Sequence, residues 1–547
     1  YTYNSYGEAV STPYMYTVEK VLYGTDVSDI PLIEPEDLCV DEQGRLYILD
    51  SGNNRIITLD ASGSLLSIRD TFLLDGQPNT LTKPQGIYVR NGTLYVADTG
   101  NSRVLCIAED GTISRVIEKP ESVYFDETME FIPTKVTADS SGNVYVLATG
   151  LYNGLAVFGP AGDFQGFYGS EMVNTTAQAL ADFFWKQLMT AEQKEAMANY
   201  VPPEICNIFI TDNNFMYTVT PAAMIPLTTE KEEMDSIRRL NPKGEDVLES
   251  KMPDAARQAM ELQARQLDFV DVCADKNGFV SLVDRTMGRV YHFDNNMNLL
   301  CAFGGYGEYA GTFRMARAID TWDGRLFVLD KQKGSITVFA PTSTGEAIHT
   351  AIQLQNEGHY EEALEPWQTV LAEDPNSELA CNGIGNALLG RRDYKQAMDY
   401  FARGRDSVKY NQAFREYRLQ LLRGIFPFAA AALVLILVAA FVYRRVKKPA
   451  AAALEVAAKK DLKRGAYPLY IMRHPTNGFD ALRYRKQISV GVSLILFAAL
   501  VLMDVLSLEF AGLQFRVVDK NAIDLIGTIF SRLAVLLLFV VANWSFC

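Results

Sequence analysis

Aligned on an internal repeat, Asp37, Gly86, Lys135, Asn207, Asp271 and Arg317 occupy one equivalent position in six successive units. A column of carboxylates could bind a divalent cation or divide acid and base roles. Calcium, however, wants several oxygen ligands and no cation beside it. Here two aspartates share the column with a lysine and an arginine, a mixture that points to internal ion pairing or to a polar ligand. The expectation is no resident metal or other cofactor. The remaining inventory for catalysis is thin. Histidine, the usual acid–base side chain near neutral pH, occurs only as His292, His349, His359 and His474. There is no H-E-x-x-H zinc helix, no G-x-S-x-G elbow and no glycine-rich phosphate loop, so the chain is expected to be a non-enzyme. Of the seven cysteines, none forms a C-x-x-C pair, and Cys39 (DLCVD) and Cys273 (DVCAD) fall at the same place in two repeats. Buried free thiols are therefore expected rather than a disulfide framework.

The elements that position this column are short strands. The unit PEDLCVDEQGRLYILDSGNNRIITLD (Pro35–Asp60) returns as PQGIYVRNGTLYVADTGNSRVLCI (Pro84–Ile107). Tyr47 and Tyr95, Asp50 and Asp98, and Arg55 and Arg103 are each 48 residues apart. Further units begin near Pro133, Asn207, Val270 and Ala316. Each alternates apolar and polar residues and is broken by D-x-x-G or G-N turns, the period-two pattern of strands joined by hairpins. Three or four short strands recurring at this interval predict propeller blades, and six units predict six blades. The last unit lacks an outer strand, and Tyr14–Tyr23 has no blade of its own. That segment is predicted to close the ring as the missing strand, which would cover an open edge.

The motifs D-S-G-N-N-R-I (Asp50–Ile56) and D-T-G-N-S-R-V (Asp98–Val104) resemble the NHL-repeat family of six-bladed propellers. The resemblance spans roughly residues 14–345 and weakens in units three and four, where Ala148 and Thr220 replace the aspartate and Gly154 replaces the arginine. The aspartate and arginine are expected to bond within and between blades. Two insertions, about 171–203 and 252–267, are Ala/Gln/Glu-rich and predicted helical, the first with a capping box at Thr190 and Gln193. They would either decorate the propeller or dock a partner, for which Phe183, Phe184 and Trp185 are candidate anchors.

Beyond the propeller (1–345), residues 346–423 carry a second repeat. Tyr360 and Tyr394, Ala363 and Ala397, and Trp367 and Phe401 are each 34 apart, which resembles the tetratricopeptide family. Two units suit a spacer or interaction module better than a peptide receptor. Charge then changes sign. Residues 424–547 hold 15 Lys/Arg against 7 Asp/Glu, leaving 36 against 59 in the first 423. So acidic a first part argues against nucleic acid as partner. Gly424–Tyr443 is an uncharged run of 20 residues, long enough to span a bilayer core. The following loop, 444–486, is strongly basic, so the positive-inside rule makes it cytoplasmic and the propeller extracellular. Two further spans are predicted at about 487–508 and 525–547, with Asp504, Asp524 and Arg532 at or near membrane depth. The stretch H-P-x-x-G-F from His474, before the second span, resembles the start of a Yip-family membrane domain, here incomplete. The polar start at Tyr1 reads as a processed N-terminus, and the apolar stop at Cys547 as an interrupted span.

The fold expected is therefore multidomain: a six-bladed β-propeller with helical insertions, a two-unit α-helical repeat, and transmembrane helices. The combination resembles accessory proteins of carbohydrate ABC importers of Gram-positive gut bacteria. That resemblance implies a non-catalytic scaffold subunit with ABC permease and solute-binding protein as partners. A stand-alone glycan-binding receptor or sensor, and a calcium-dependent hydrolase or lyase, are the alternatives.

Overall fold

A computed structural model describes residues 2–3, 9–122, 130–149, 151, 154–169, 205–220, 237–248 and 268–451, with isolated positions 498, 503 and 534. The predicted insertion helices, the docking anchors Phe183, Phe184 and Trp185, the later spans and the Yip-like segment lie outside these residues. The chain divides into two compact units, Tyr1–Gly383 and Ile384–Cys547.

Six sheets make up the propeller, each antiparallel, and the first five run in simple sequence order. Their inner strands are Asp37–Val40, Gly86–Arg90, Ile132–Ala138, Asn207–Ile210, Phe269–Ala274 and Ala316–Trp322. Each inner strand touches the next, and the sixth touches the first, so the ring is closed. Among the described residues blade 4 has three strands where the others have four. Blade 6 takes its outer strand from the start of the chain: Tyr16–Tyr23 pairs antiparallel with Ser335–Pro341. This is the closure expected from the orphan run at Tyr14–Tyr23.

Burial follows the alternation in the sequence. Ile48, Ile57 and Leu59 of blade 1 pack with Ala318, Leu329, Ile336 and Val338 of blade 6, while Leu49, Ile56 and Leu105 fill the seam between blades 1 and 2. Fully burying one such aliphatic side chain is worth about 1.5–3 kcal/mol. The cysteines Cys39, Cys106, Cys273, Cys301 and Cys381 are buried and unbridged, and Cys206 is half-buried and unbridged.

The two ends of the ring are built differently. At one end sit the turns between first and second strands and between third and fourth. Five of them open on an Asp whose carboxylate accepts two backbone N–H groups, among them Asp41 from Gln43 and Arg45, Asp139 from Ser141 and Asn143, and Asp294 from Asn296 and Asn298. These are the D-x-x-G signals of the sequence, acting as Asx-turns. At the other end lie the second-to-third turns, such as Ser51–Asn53 and Thr99–Asn101.

Four further helices and one long one follow: α1 (Ser343–Asn356), α2 (Leu364–Glu373), α3 (Glu378–Gly390), α4 (Tyr394–Arg403) and α5 (Ser407–Ala451). Small residues sit where helices meet aromatic rings. A Cβ on Gly383 would fall 2.2 Å from the Trp367 ring, and one on Gly385 would fall 2.6 Å from Phe401. Helix α5 is exposed and apolar along its second half, with Leu433, Leu435, Leu437 and Phe441 all facing out. Among the described residues it is the one helix long and apolar enough to cross a membrane.

Candidate functional site

The NHL signature explains itself in blades 1 and 2. Asp50 ends the second strand, and its carboxylate accepts from the Arg55 guanidinium (2.7 Å), from Asn53 Nδ2 (2.8 Å) and from the Ile33 N–H (2.8 Å) of the incoming connection. Asp98 does the same with Arg103 (2.8 Å), Asn101 (2.8 Å) and the Thr82 N–H (2.7 Å). The glycine of the motif lets two backbones meet. Gly52 N–H donates to Ile33 O at 2.8 Å, and a Cβ there would sit 2.5 Å from that oxygen. A left-handed residue closes the turn, Asn54 (φ 53°) in blade 1 and Ser102 (φ 54°) in blade 2. These groups hold the fold, with Asp50, Asp98 and Arg55 buried, Arg103 half-buried and Asn101 exposed.

The channel column is brought together in part. Lys135 Nζ lies 2.8 Å from Asp37 Oδ1, an ion pair between nearly buried side chains whose angle departs from a good hydrogen bond. Asn207 Nδ2 donates to Asp271 Oδ1 at 2.5 Å. The second oxygen of each aspartate is spent on the neighbouring blade. Asp37 Oδ2 accepts from the Ile87 N–H (2.9 Å) and Asp271 Oδ2 from the Ile319 N–H (2.6 Å). The carboxylates therefore fasten blade 1 to blade 2 and blade 5 to blade 6.

Arg317 departs from the expected alignment. The first two strands of blade 6 shift register between Ala316 and Ala318, and Ala318 faces Leu329 as Asp37 faces Leu49. Ala318 thus holds the column position, and Arg317 is the extra residue of a β-bulge. Its guanidinium is re-aimed at Glu36, 2.7 Å away, which also pairs with Lys331. Burial opposes the Glu36 charge, but Arg317 and Lys331 overcome it and hold the carboxyl below its ordinary range.

The same bulge brings in Asp320, which the unbulged alignment misses. Asp320 Oδ2 accepts from the Val40 N–H at 2.7 Å and fastens blade 6 to blade 1. Its signal in the sequence is a charge on the otherwise apolar side of ARAIDTW. Burial, with a further push from Asp37, raises the Asp320 carboxyl to about 7. Burial likewise raises Asp271 to about 7, against the pull of Lys135. Chemically, the column is a set of buried carboxylates paired with cations, amides and backbone donors. The described residues contain no group of three or more His, Cys, Asp or Glu placed to hold a metal ion. A separate cavity of about 220 Å³ lies outside the channel, between blades 1 and 2, lined by Arg45, Leu66, Arg69, Phe72 and Glu109. Arg45 is already engaged there by Asp41 and Glu109.

Ring and clips together define a six-bladed β-propeller carrying NHL repeats. The family described as NHL repeat matches residues 32–58 and 81–107, the two units in which the clip is complete. No curated protein matches the chain. Among solved structures, virginiamycin B lyase from Staphylococcus aureus is similar at 14% identity, covering 59% of this chain and 99% of its own, with a TM-score of 0.36. Kuenenia stuttgartiensis hydrazine synthase is similar at 10% identity over 57% of this chain and 96% of its own, with a TM-score of 0.34. A protein of unknown function from Bacteroides thetaiotaomicron is similar at 10% identity over 57% and 70%, with a TM-score of 0.36.

Proposed function

We propose that this chain is a non-catalytic, membrane-anchored extracellular binding and scaffold subunit of a larger membrane complex. Helix α5 carries the reading. It contains an 18-residue stretch of mean hydropathy 2.8 with its apolar side chains unburied, and Arg444, Arg445, Lys447 and Lys448 follow directly. Basic residues are retained on the cytoplasmic side, which leaves the propeller outside. The non-catalytic part of the reading is supported by the channel, where Asp37, Asp271 and Asp320 are occupied as fasteners between blades.

In this reading helices α1–α4 act as a tetratricopeptide-like spacer, and the sequence beyond α5 supplies Yip-like spans that dock on other membrane subunits. An ABC permease and a solute-binding protein of a carbohydrate importer are the proposed partners. Purification of the full chain in mild detergent is expected to bring both down, and recovery of a lone monomer would count against the complex. A stand-alone glycan receptor is the second reading. It is favoured by Tyr306 and Tyr309, 63% and 84% exposed on the connection between blades 5 and 6. Sugar binding by the chain without any co-purifying subunit would select it. Bound calcium in the channel, or an activity lost in Asp37→Ala or Asp271→Ala, would replace both with the hydrolase or lyase reading.

A further inference from the structure

The chain leaves the propeller through Pro341 and enters α1 at the end of the ring that carries the Asx-turns. Thr342 caps the helix, taking the Gly345 N–H at 3.1 Å and giving its own N–H to Met15 O at 2.9 Å. Behind the cap, α1 buries Ile348, Ala351 and Ile352. One contact in this seat is polar. His349 Nε2 of α1 meets His292 Nε2 of blade 5 at 2.9 Å, and His292 Nδ1 meets Ser281 Oγ at 2.8 Å. Aromatic rings seal the chain of bonds: Phe279 lies 4.3 Å from His349 and 5.8 Å from His292, and Tyr16 sits edge-on to His292 at 5.2 Å.

We propose that Ser281, His292 and His349 form a proton-operated latch, which fastens α1 to the propeller while the rings are neutral and releases it on acidification. A bond between two Nε2 atoms needs one N–H and one lone pair. Fully protonated rings would place two N–H groups and two positive charges face to face at 2.9 Å. The surroundings offer little to offset them. Tyr16 on the closing strand lies against His292, Cys301 on the outer strand of blade 5 pairs opposite His292, Cys273 on its inner strand pairs opposite Ser281, and Asp275 in its first turn acts on Tyr16. Burial pushes the Cys301 thiol up to about 12 and raises Cys273 and Tyr16, so these three stay neutral through the working range. The Asp275 carboxylate gives Oδ1 to the Asn277 and Phe279 N–H groups. On α1 itself, Glu346 faces solvent.

The direction of the pH effect follows from burial. Desolvation holds His349 down to about 4. Desolvation, with His349 beside it, lowers His292 further. A released ring returns to its ordinary value near 6.5. Docking is therefore complete above about pH 6.5 and weakens as pH falls from there toward about 4, because the released state takes up protons that the docked state refuses. For one histidine the release constant rises roughly twentyfold between about pH 7 and pH 5, and two histidines multiply the effect.

Amide hydrogen exchange on the full chain in detergent, corrected for intrinsic rates, tests the latch. Protection of α1 is expected to fall at least about twentyfold between pH 7 and pH 5, while the inner strands of blades 1 and 2 hold theirs. In the double variant His292→Phe, His349→Phe the rings still pack but cannot titrate, and α1 should be equally protected at both pH values. If that variant is undocked already at pH 7, His349→Gln decides. It keeps a donor to His292 and should lose about one histidine's share of the pH effect. Equal α1 protection at both pH values in the natural chain, or an undiminished pH effect in the variants, would overturn the proposal.

Discussion

Blades 1 and 2 and blades 3 and 4 come from the same repeat, yet they solve the same corner differently. In blades 1 and 2 the aspartate at the end of the second strand binds an arginine, an asparagine and the incoming connection, and the following turn is a tight 3-10 turn, Ser51–Asn53 or Thr99–Asn101. In blade 3 the aspartate is Ala148, and Gly154 (φ 95°) stands in place of the arginine. In blade 4 the aspartate is Thr220, and seventeen residues, 220–236, separate the second and third strands. Blades 5 and 6 keep the aspartate: Asp284 takes the Asp268 N–H and Asp330 the Arg314 N–H. The clip thus does two jobs at once. It shortens the turn and pins the chain arriving from the previous blade, and where it is lost the corner is free to lengthen.

The sharpest way to break this comparison is to remove a clip. Asp50→Ala strands the Arg55 guanidinium, 6% exposed, without its carboxylate. The expected cost is about 3–5 kcal/mol in denaturant unfolding, as for other broken buried pairs. Restoring the motif in blade 3 should not help. Ala148→Asp with Gly154→Arg buries a new carboxylate and forces a residue with a Cβ to the φ of 95° that Gly154 adopts, so a loss of a few kcal/mol is expected. Next in size is the close approach. Gly52→Ala and Gly100→Ala each bring a Cβ within 2.5 Å of a carbonyl oxygen, that of Ile33 or Thr82, and should cost about 1–3 kcal/mol.

The seams of the intact half can be tested through pH. Asp320→Ala leaves the half-buried Val40 N–H without this acceptor, for about 1–3 kcal/mol. Asp320→Asn keeps an oxygen there and removes the titration. The folded protein holds the Asp320 proton up to about pH 7, whereas the unfolded chain releases it near about 3.9. Stability from this group is therefore present at acid pH and lost as pH rises across that window. The Asn variant should show a flatter stability profile between those limits and match or exceed the natural chain at about pH 8. Smallest of all is Glu109→Gln. Glu109 is two-thirds exposed in its bridge to Arg45, and the change should stay under about 1 kcal/mol and vanish in high salt.

The strands, their number and the closing segment were legible because alternation, turn residues and a 48-residue period are local signals. The Asp–Arg clip was legible for the same reason. The column at the channel was legible in five blades, although Lys135 and Asp271 also follow an inserted residue, and was missed by one place in blade 6. Arg317 looks equivalent to Asp37 by counting, and a single bulge moves Ala318 into that place and delivers Asp320 to the seam with blade 1. Bulges leave no reliable local mark, since they answer to packing between strands. The His292–His349 contact was illegible for a different reason. It joins a strand to a helix 57 residues away, and nothing in either segment names its partner.

The closing strand sets a timetable for synthesis. Tyr16–Tyr23 is made before any other strand of the propeller, yet its partner Ser335–Pro341 follows roughly three hundred residues later. Until then the nascent ring is an open arc with two unsealed blade faces and an unpaired strand waiting at its start. A nick between Tyr23 and Asp37 would cut the cord that returns the strand to blade 1. The geometry that leaves the finished propeller without an open edge makes the youngest and oldest parts of the domain finish together.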